Sequence, residues 1–405
     1  MSRGLHPLVA CAAGAIATLA ASSAGASAPL CSALPLNSPR VVIENGDTQE
    51  PMLKALGQAL ANAPTPLRIL YFNKSTCLLA ADKYNGASIA ETTAMSYAPS
   101  SLEDATWDPS KPSPTCLPDP GGFPIDLAIG ATYLTSCTTL PAKPANITVL
   151  GGPIQGYGFV VPSASSQVAM TAEEGYFAFG WPMGGGMADP WTDQTLRFIR
   201  GASASTALTC SANIGLLASK LQGTLSSPDR STPLLQNVAT SPTPEKTIGL
   251  LGVDVSDGHR DEVKMLAFRA FHQLYAYFPD SSNTVFDKQN VRDGHYVPWS
   301  PTQYIFDDAA ASADTHRVID LVFGNRVDPG VNGVYTLSRF GLVPQCAMHV
   351  TRQFDGGDLS LYSDPAPCDC LYDSAYPGAT KTCTVCSNDS ACGGGKCRRG
   401  ICEAK

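Results

Sequence analysis

Basic blocks, paired histidines and long apolar runs are all missing from this chain of 405 residues. With no cluster of lysines or arginines and a formal charge of −8, it offers little to nucleic acid or to an anionic membrane, and neither is expected as a partner. Its six histidines, at positions 6, 259, 272, 295, 316 and 349, never stand three or four residues apart, the spacing of a helical metal-ligand pair. No cofactor is expected. Apolar runs stay short of the roughly 20 residues needed to cross a bilayer, so no transmembrane segment is expected either. Phosphate-binding loops are lacking too: Gly184-Gly185-Gly186 and Gly393-Gly394-Gly395-Lys396 have neither the strand-loop-helix setting nor the Lys-Ser/Thr ending, and read as turns.

The apolar stretch Leu8 to Leu19, with Arg3 before it and Ala24-Gly25-Ala26 behind it, has the order of a secretory signal peptide spanning residues 1–26. Cleavage is expected after Ala26, because a cut after Ala28 would leave Pro29 directly behind it. Fourteen cysteines fit export, since an oxidising compartment turns them into disulfides. Removing Cys11 with the signal leaves thirteen, an odd number, and Cys210, isolated in an apolar stretch, is the candidate free thiol. Seven cysteines fall between Cys368 and Cys402, where large apolar residues are few, so cross-links are expected to hold this tail. Zinc is the rival reading, on the Cys383-Thr384-Val385-Cys386 spacing, but no second pair and no histidine accompany it.

Between residues 40 and 345, short apolar runs alternate with helical patterns, the mark of an α/β fold with mainly parallel strands. Strands are expected at Arg40–Glu44, Leu67–Phe72 and Ile125–Ile129, with a helix carrying Met52, Leu53, Leu56, Leu60 and Ala63 after the first. Thr148–Pro162 reads as a crossing between lobes, and Tyr296–Ile305 as a connecting strand. The strongest helical stripe is Val263, Leu266, Ala267, Ala270, Phe271, Leu274 and Phe278, predicting a helix over Asp261–Phe278. Helices are also expected at His316–Phe323 and Val334–Phe340.

Two segments carry chemistry. Asp47-Thr48 stands where the first strand meets its helix; its groups either cradle an anion at the helix start or cap the helix, with Glu50 and Pro51 completing the pattern. Arg200, followed by Ser203, Ser205 and Thr206, puts a cation and hydroxyls at a second strand-to-helix junction, chemistry suited to an oxyanion. Gly201-x-Ser203-x-Ser205 nearly forms a nucleophile elbow but lacks the second glycine, so a hydrolase is the least favoured reading. Asp254–Asp261 has three acidic side chains without the alternation of a calcium loop, and reads as a helix start.

Gly46-Asp47-Thr48, Ile125–Gly130, Phe159–Pro162, Arg200–Thr206, Ile248–Leu251 and Asp293–Trp299 together, in this order, resemble the phosphate-type substrate-binding proteins of ABC transporters. The resemblance implies a two-lobed type 2 periplasmic-binding fold. Residues 40–150 and 300–345 would form lobe 1, residues 151–299 lobe 2, and residues 346–405 a cysteine-rich tail of the kind seen on myxobacterial surface proteins. It also implies a small polar ligand, an oxyanion in the family, held in the interlobe cleft by Asp47, Thr48, Arg200, Ser203, Ser205 and Thr206 without catalysis. An ABC permease or a surface partner would receive it, in the periplasm or at the cell surface. The chain departs from the family at Asp47, where a serine is expected, at Gly130-Ala131 in place of Ser-Asp, and at Ala204-Ser205-Thr206 in place of Ser-Gly-Thr. Those changes weigh against phosphate itself, and the alternative is an exported scaffold or adhesion protein that keeps the fold without the ligand.

Overall fold

The computed structural model describes residues 28–35, 38–182 and 188–404. The expected signal peptide and Gly184-Gly185-Gly186 lie outside these residues.

The β-branched run in Arg40–Asn45 (β1) makes an extended segment with both faces buried: Val41 and Ile43 enter one apolar cluster, and Val42 enters another. Glu50–Ala61 (α1), with Pro51 in its first turn, packs Met52, Leu53, Leu56 and Leu60 against the first cluster. Arg68–Asn73 (β2) and Thr76–Tyr84 (α2) follow, then Met95–Tyr97 (β3), Thr115–Cys116 (β4) and Leu127–Gly130 (β5). Ile147–Pro162 (β6) leads to the second half, made of Arg197–Ile199 (β7), Ser205–Asn213 (α3), Thr224–Leu225 (β8), Ser231–Ala239 (α4), Ile248–Gly252 (β9) and Val263–Met265 (β10). Trp299–Asp307 (β11) returns to the first half, where Ala313–Phe323 (α5) and Gly333–Arg339 (α6) pack.

These strands make one sheet in the order β8-β7-β9-β6-β11-β5-β1-β2-β3-β4, with β10 attached to β6. Pairing is parallel within the strand-helix units, as in β1 with β2 and with β5, and β7 with β8 and with β9. It is antiparallel wherever β6 or β11 takes part, so the sheet is mixed rather than mainly parallel. The reason is connectivity: β6 carries the chain across and β11 carries it back, so the two run in opposite directions. Their register slips between Pro301 and Gln303, opposite Gly152. A side chain at Gly152 would meet the Tyr304 ring and Thr302 Oγ1 at 2.6 and 2.7 Å, which is why the close approach needs glycine.

The helix expected over Asp261–Phe278 is not formed. Val263–Met265 pairs instead with the exposed edge of β6, Ala267–Arg269 pairs with Ala169–Thr171, and His272 takes a left-handed φ of 68° that no helix continues through. Leu274 and Tyr275, assigned or adjacent to the helical stripe, lie 85 % and 69 % exposed. Edge pairing outcompeted a periodicity that was apolar but had no face to bury against.

Six disulfides form: Cys31–Cys116, Cys77–Cys137, Cys346–Cys368, Cys370–Cys383, Cys386–Cys397 and Cys392–Cys402. Cys383 and Cys386 are thus both committed to sulfur partners, and Cys210 is the free cysteine among the described residues, buried beneath β6. Where a self-standing tail was expected, its first part is built into the body: Cys368, Leu371 and Tyr372 of the short helix Asp369–Asp373 (α7) and its cap belong to the largest apolar cluster, with Tyr157, Phe159 and Leu250. Arg292, 3 % exposed, fixes it there by ion pairs to Asp369 (2.6 Å) and Asp373 (2.7 Å), while donating to the Ala347 carbonyl at 2.9 Å. Replacing Arg292 with methionine is expected to lower the unfolding free energy by about 2 kcal/mol, because two half-exposed carboxylates lose their buried cation. Urea unfolding followed by tryptophan fluorescence reads this directly, and an unchanged midpoint would show that α7 is held by packing alone.

Candidate functional site

The junctions after β1, β2 and β7 bring the starts of α1, α2 and α3 to the line where the two halves of the sheet meet. Asp47–Gln49 forms a tight turn entering α1, but Asp47 does not cap that helix, whose N-cap Gln49 makes no side-chain capping bond. Asp47 Oδ2 instead reaches the other lobe, accepting from the Ser231 N–H at 2.7 Å and pairing with Arg200 Nη1 at 3.3 Å. Arg200 is 4 % exposed and donates from Nε to Asp229 at 2.7 Å and from Nη1 to the Ser231 hydroxyl at 2.8 Å. Burial works against its charge, but the two carboxylates outweigh it and hold the guanidinium above its ordinary value.

Beneath this ion cluster, the Tyr157 hydroxyl donates to the Ala131 carbonyl at 2.7 Å and sits against the hydroxyls of Thr48 and Ser205. Burial pushes this phenol well above its ordinary value, so it stays a neutral donor. Ser203 lies apart from these two and shares a hydrogen bond with Ser75 of the opposite lobe at 2.9 Å. Thr206 is buried one residue along from Ser205. The six residues singled out from the sequence therefore divide into Asp47 with Arg200, Thr48 with Ser205, Ser203 with Ser75, and Thr206 behind them.

Sequence reading passed over Ser75, Thr76, Asp229, Arg230 and Ser231. Their signal was present: Ser75-Thr76 follows β2 as Asp47-Thr48 follows β1, and Asp229-Arg230-Ser231 precedes the apolar helix carrying Leu234, Leu235 and Val238. Thr76 also explains Gly130-Ala131. A Cβ on Gly130 would lie 2.6 Å from Thr76 Cγ2, and Thr76 Oγ1 accepts from the Ala131 N–H at 3.2 Å, so the threonine occupies the space a larger pair would need.

The two halves of the sheet touch directly along the line where they meet. Besides the contacts above, Cys77 N–H donates to the Ser203 carbonyl (3.3 Å), Arg230 to the Asn73 carbonyl (2.8 Å), and Thr132 and Thr209 share a bond of 3.2 Å. At the floor, the Gln49 amide donates to Gln155 (3.2 Å) and Gln155 to Asp254 Oδ1 (2.7 Å), leaving Asp254 Oδ2 and Gln49 Oε1 buried without a partner. Desolvation, with help from nearby Asp47 and Asp257, pushes the Asp254 carboxyl up to about 8. At the mouth, a cavity of about 270 Å³ lies between the lobes, lined by the Cys77–Cys137 bridge, Ser136, Thr138, Ser203, Leu208 and Leu217.

This fold matches solved structures of periplasmic-binding type. A protein assigned as a phosphate ABC transporter substrate-binding protein from Clostridium perfringens, solved with bound phosphate, aligns over 75 % of this chain and 99 % of its own, at 13 % identity and a TM-score of 0.50. An ABC-type phosphate transport receptor from Vibrio cholerae aligns over 75 % and 99 %, at 12 % identity and a TM-score of 0.45. No family model matches the chain, and no curated protein does. The chain has a mixed α/β fold similar to that of the Clostridium protein, with a disulfide-bonded C-terminal region.

Proposed function

We propose that the chain is a non-catalytic binding protein that works outside the cytoplasm and takes a small polar ligand between its lobes, for delivery to an ABC permease or a surface partner. The observation that carries this reading is an opening of about 270 Å³ lined by Ser136 and Thr138 from one side and by Ser203 and Ser219 from the other. Six disulfides support the extracytoplasmic setting. Free phosphate fits this cleft poorly. Arg200 already carries two carboxylates, and an added anion would have to displace one of them. The favoured ligand is therefore neutral, a polyol or small sugar able to use hydroxyls against an apolar wall.

Thermal unfolding of residues 27–405 with phosphate, sulfate, molybdate, carboxylates and small sugars tests this. A ligand at one hundred times its dissociation constant adds about 2.7 kcal/mol, and the midpoint is expected to rise with a neutral polar compound and to stay put with phosphate. A cooperative transition that no compound moves would remove the ligand from the reading. The second reading, a scaffold that keeps the fold without a solute, is favoured by Asp355, which accepts from Thr132 and Ser136 at 2.6 Å each and ties the beginning of the tail onto the cleft.

A further inference from the structure

We propose that Asp47 is a built-in ligand: its carboxylate occupies an oxyanion site formed by Arg200 and the start of α4, and so closes the lobes without a solute. The inference rests on the cleft being the binding site of this fold, and on nothing about which free ligand it takes.

Two donors of lobe 2 converge on one place. They are the Ser231 N–H and Arg200 Nη1, the latter held in place by the Ser231 hydroxyl that accepts from it, and the oxygen found there is Asp47 Oδ2 from lobe 1. A main-chain N–H at the first turn of a nine-residue helix, beside a guanidinium that is 4 % exposed, is an anion seat on general grounds. Here a carboxylate of the chain fills it. Arg200 pairs with both Asp47 and Asp229. Removing Asp47 would leave its guanidinium with Asp229 alone, beside an unpaired Ser231 N–H. Such a seat suits a tetrahedral oxyanion such as phosphate or sulfate.

Asp47 also spans the lobes as a solute would. Its backbone belongs to the turn before α1, while both of its donors belong to the other side. A ligand held by both lobes stabilises the closed form over the open one, and a tethered carboxylate does so at an effective concentration that no dilution reduces. Aspartate in place of a hydroxyl residue at this position thus converts a receptor geometry into a closed one.

The test compares the wild type with Asp47→Ser, Asp47→Asn and Asp47→Ser/Arg200→Met, in phosphate, sulfate and chloride at matched ionic strength. Small-angle scattering reads lobe opening, and thermal unfolding reads binding. Asp47→Ser is expected to show a larger radius of gyration and a lower midpoint in chloride, and to recover both in phosphate or sulfate. The double variant should recover neither, and the wild type should respond to neither anion. A folded Asp47→Ser protein that stays as compact as the wild type and ignores both anions overturns the proposal, as does a wild type that binds either anion as tightly as the variant. If serine prevents folding, Asp47→Asn keeps the shape and removes the charge, and its refolding yield in phosphate against chloride gives the same comparison. Failure of neutral compounds to bind the wild type would sink the solute reading alone, leaving this result intact.

Discussion

Replacing Lys288 with methionine is expected to destabilise the protein by about 3–5 kcal/mol, a loss large enough to threaten folding at physiological temperature. Lys288 is 1 % exposed, and its ammonium lies 2.7 Å from both Asp257 and Asp280. Arg260 contacts the same two carboxylates at 2.5 and 2.7 Å and stacks over Phe286 at 3.7 Å, so two cations balance two anions beneath the loop that follows Pro279. Burial alone would discharge Lys288, but its two acidic neighbours keep its proton affinity above the ordinary value. Without it, Asp280, 2 % exposed, keeps one cation for two charges. Urea unfolding at neutral pH measures the loss. The deficit should shrink as the pH is lowered and the carboxylates take up protons. A variant within 1 kcal/mol of the wild type would mean that water already solvates this pair.

The second large effect is a pH dependence set by Asp254. Its carboxyl rises from 3.8 to about 8 on folding, chiefly through desolvation. Between those values the folded protein holds a proton that the unfolded chain has released, so stability falls with rising pH across this window and levels off outside it. Full ionisation at this buried position costs on the order of 6 kcal/mol. Asp254→Asn keeps the acceptor for Gln155 and cannot ionise. It should flatten the stability curve between about pH 4 and 8 and be the more stable protein at pH 8. Glu44, Asp126 and Glu403 are also raised by burial, but they are common to both proteins and cancel in the difference. Parallel curves for the two proteins over this window would show that Asp254 is solvated.

The elements legible in the sequence were those whose information is local. β1, α1, β2, α5 and α6 each pair a period with an apolar face, and each appears close to its expected bounds. Cys210 was legible because thirteen cysteines leave one over and it stands isolated in an apolar stretch, and it is the free cysteine among the described residues. Asp261–Phe278 misled because its stripe was genuine, but the vacant edge of β6 at Val160–Pro162 took Val263–Met265 first. Pairing across the chain leaves no local trace, which is also why the site was half read. Asp47 and Arg200 were named, yet neither shows in sequence that it faces the other, and Asp229 and Ser231 complete them from a third segment. Likewise, nothing near Arg292 announces that α7 will fold back upon it.

The order of the C-terminal cross-links decides what a protease can remove. A break within 347–367, 371–382 or 387–401 falls inside a loop closed by a disulfide, so both new ends stay covalently attached. Between Cys346 and Cys402, only at Cys368-Asp369-Cys370 or Cys383-Thr384-Val385-Cys386 does one cut sever every covalent path to the terminus. The first stretch is pinned by Arg292. In the second, Cys386 N–H bonds to the Gly400 carbonyl and Cys402 N–H to the Thr384 carbonyl, which keeps the backbone out of the extended, unpaired form a protease needs. Molecules nicked inside these C-terminal loops would therefore run as intact chains until reduced.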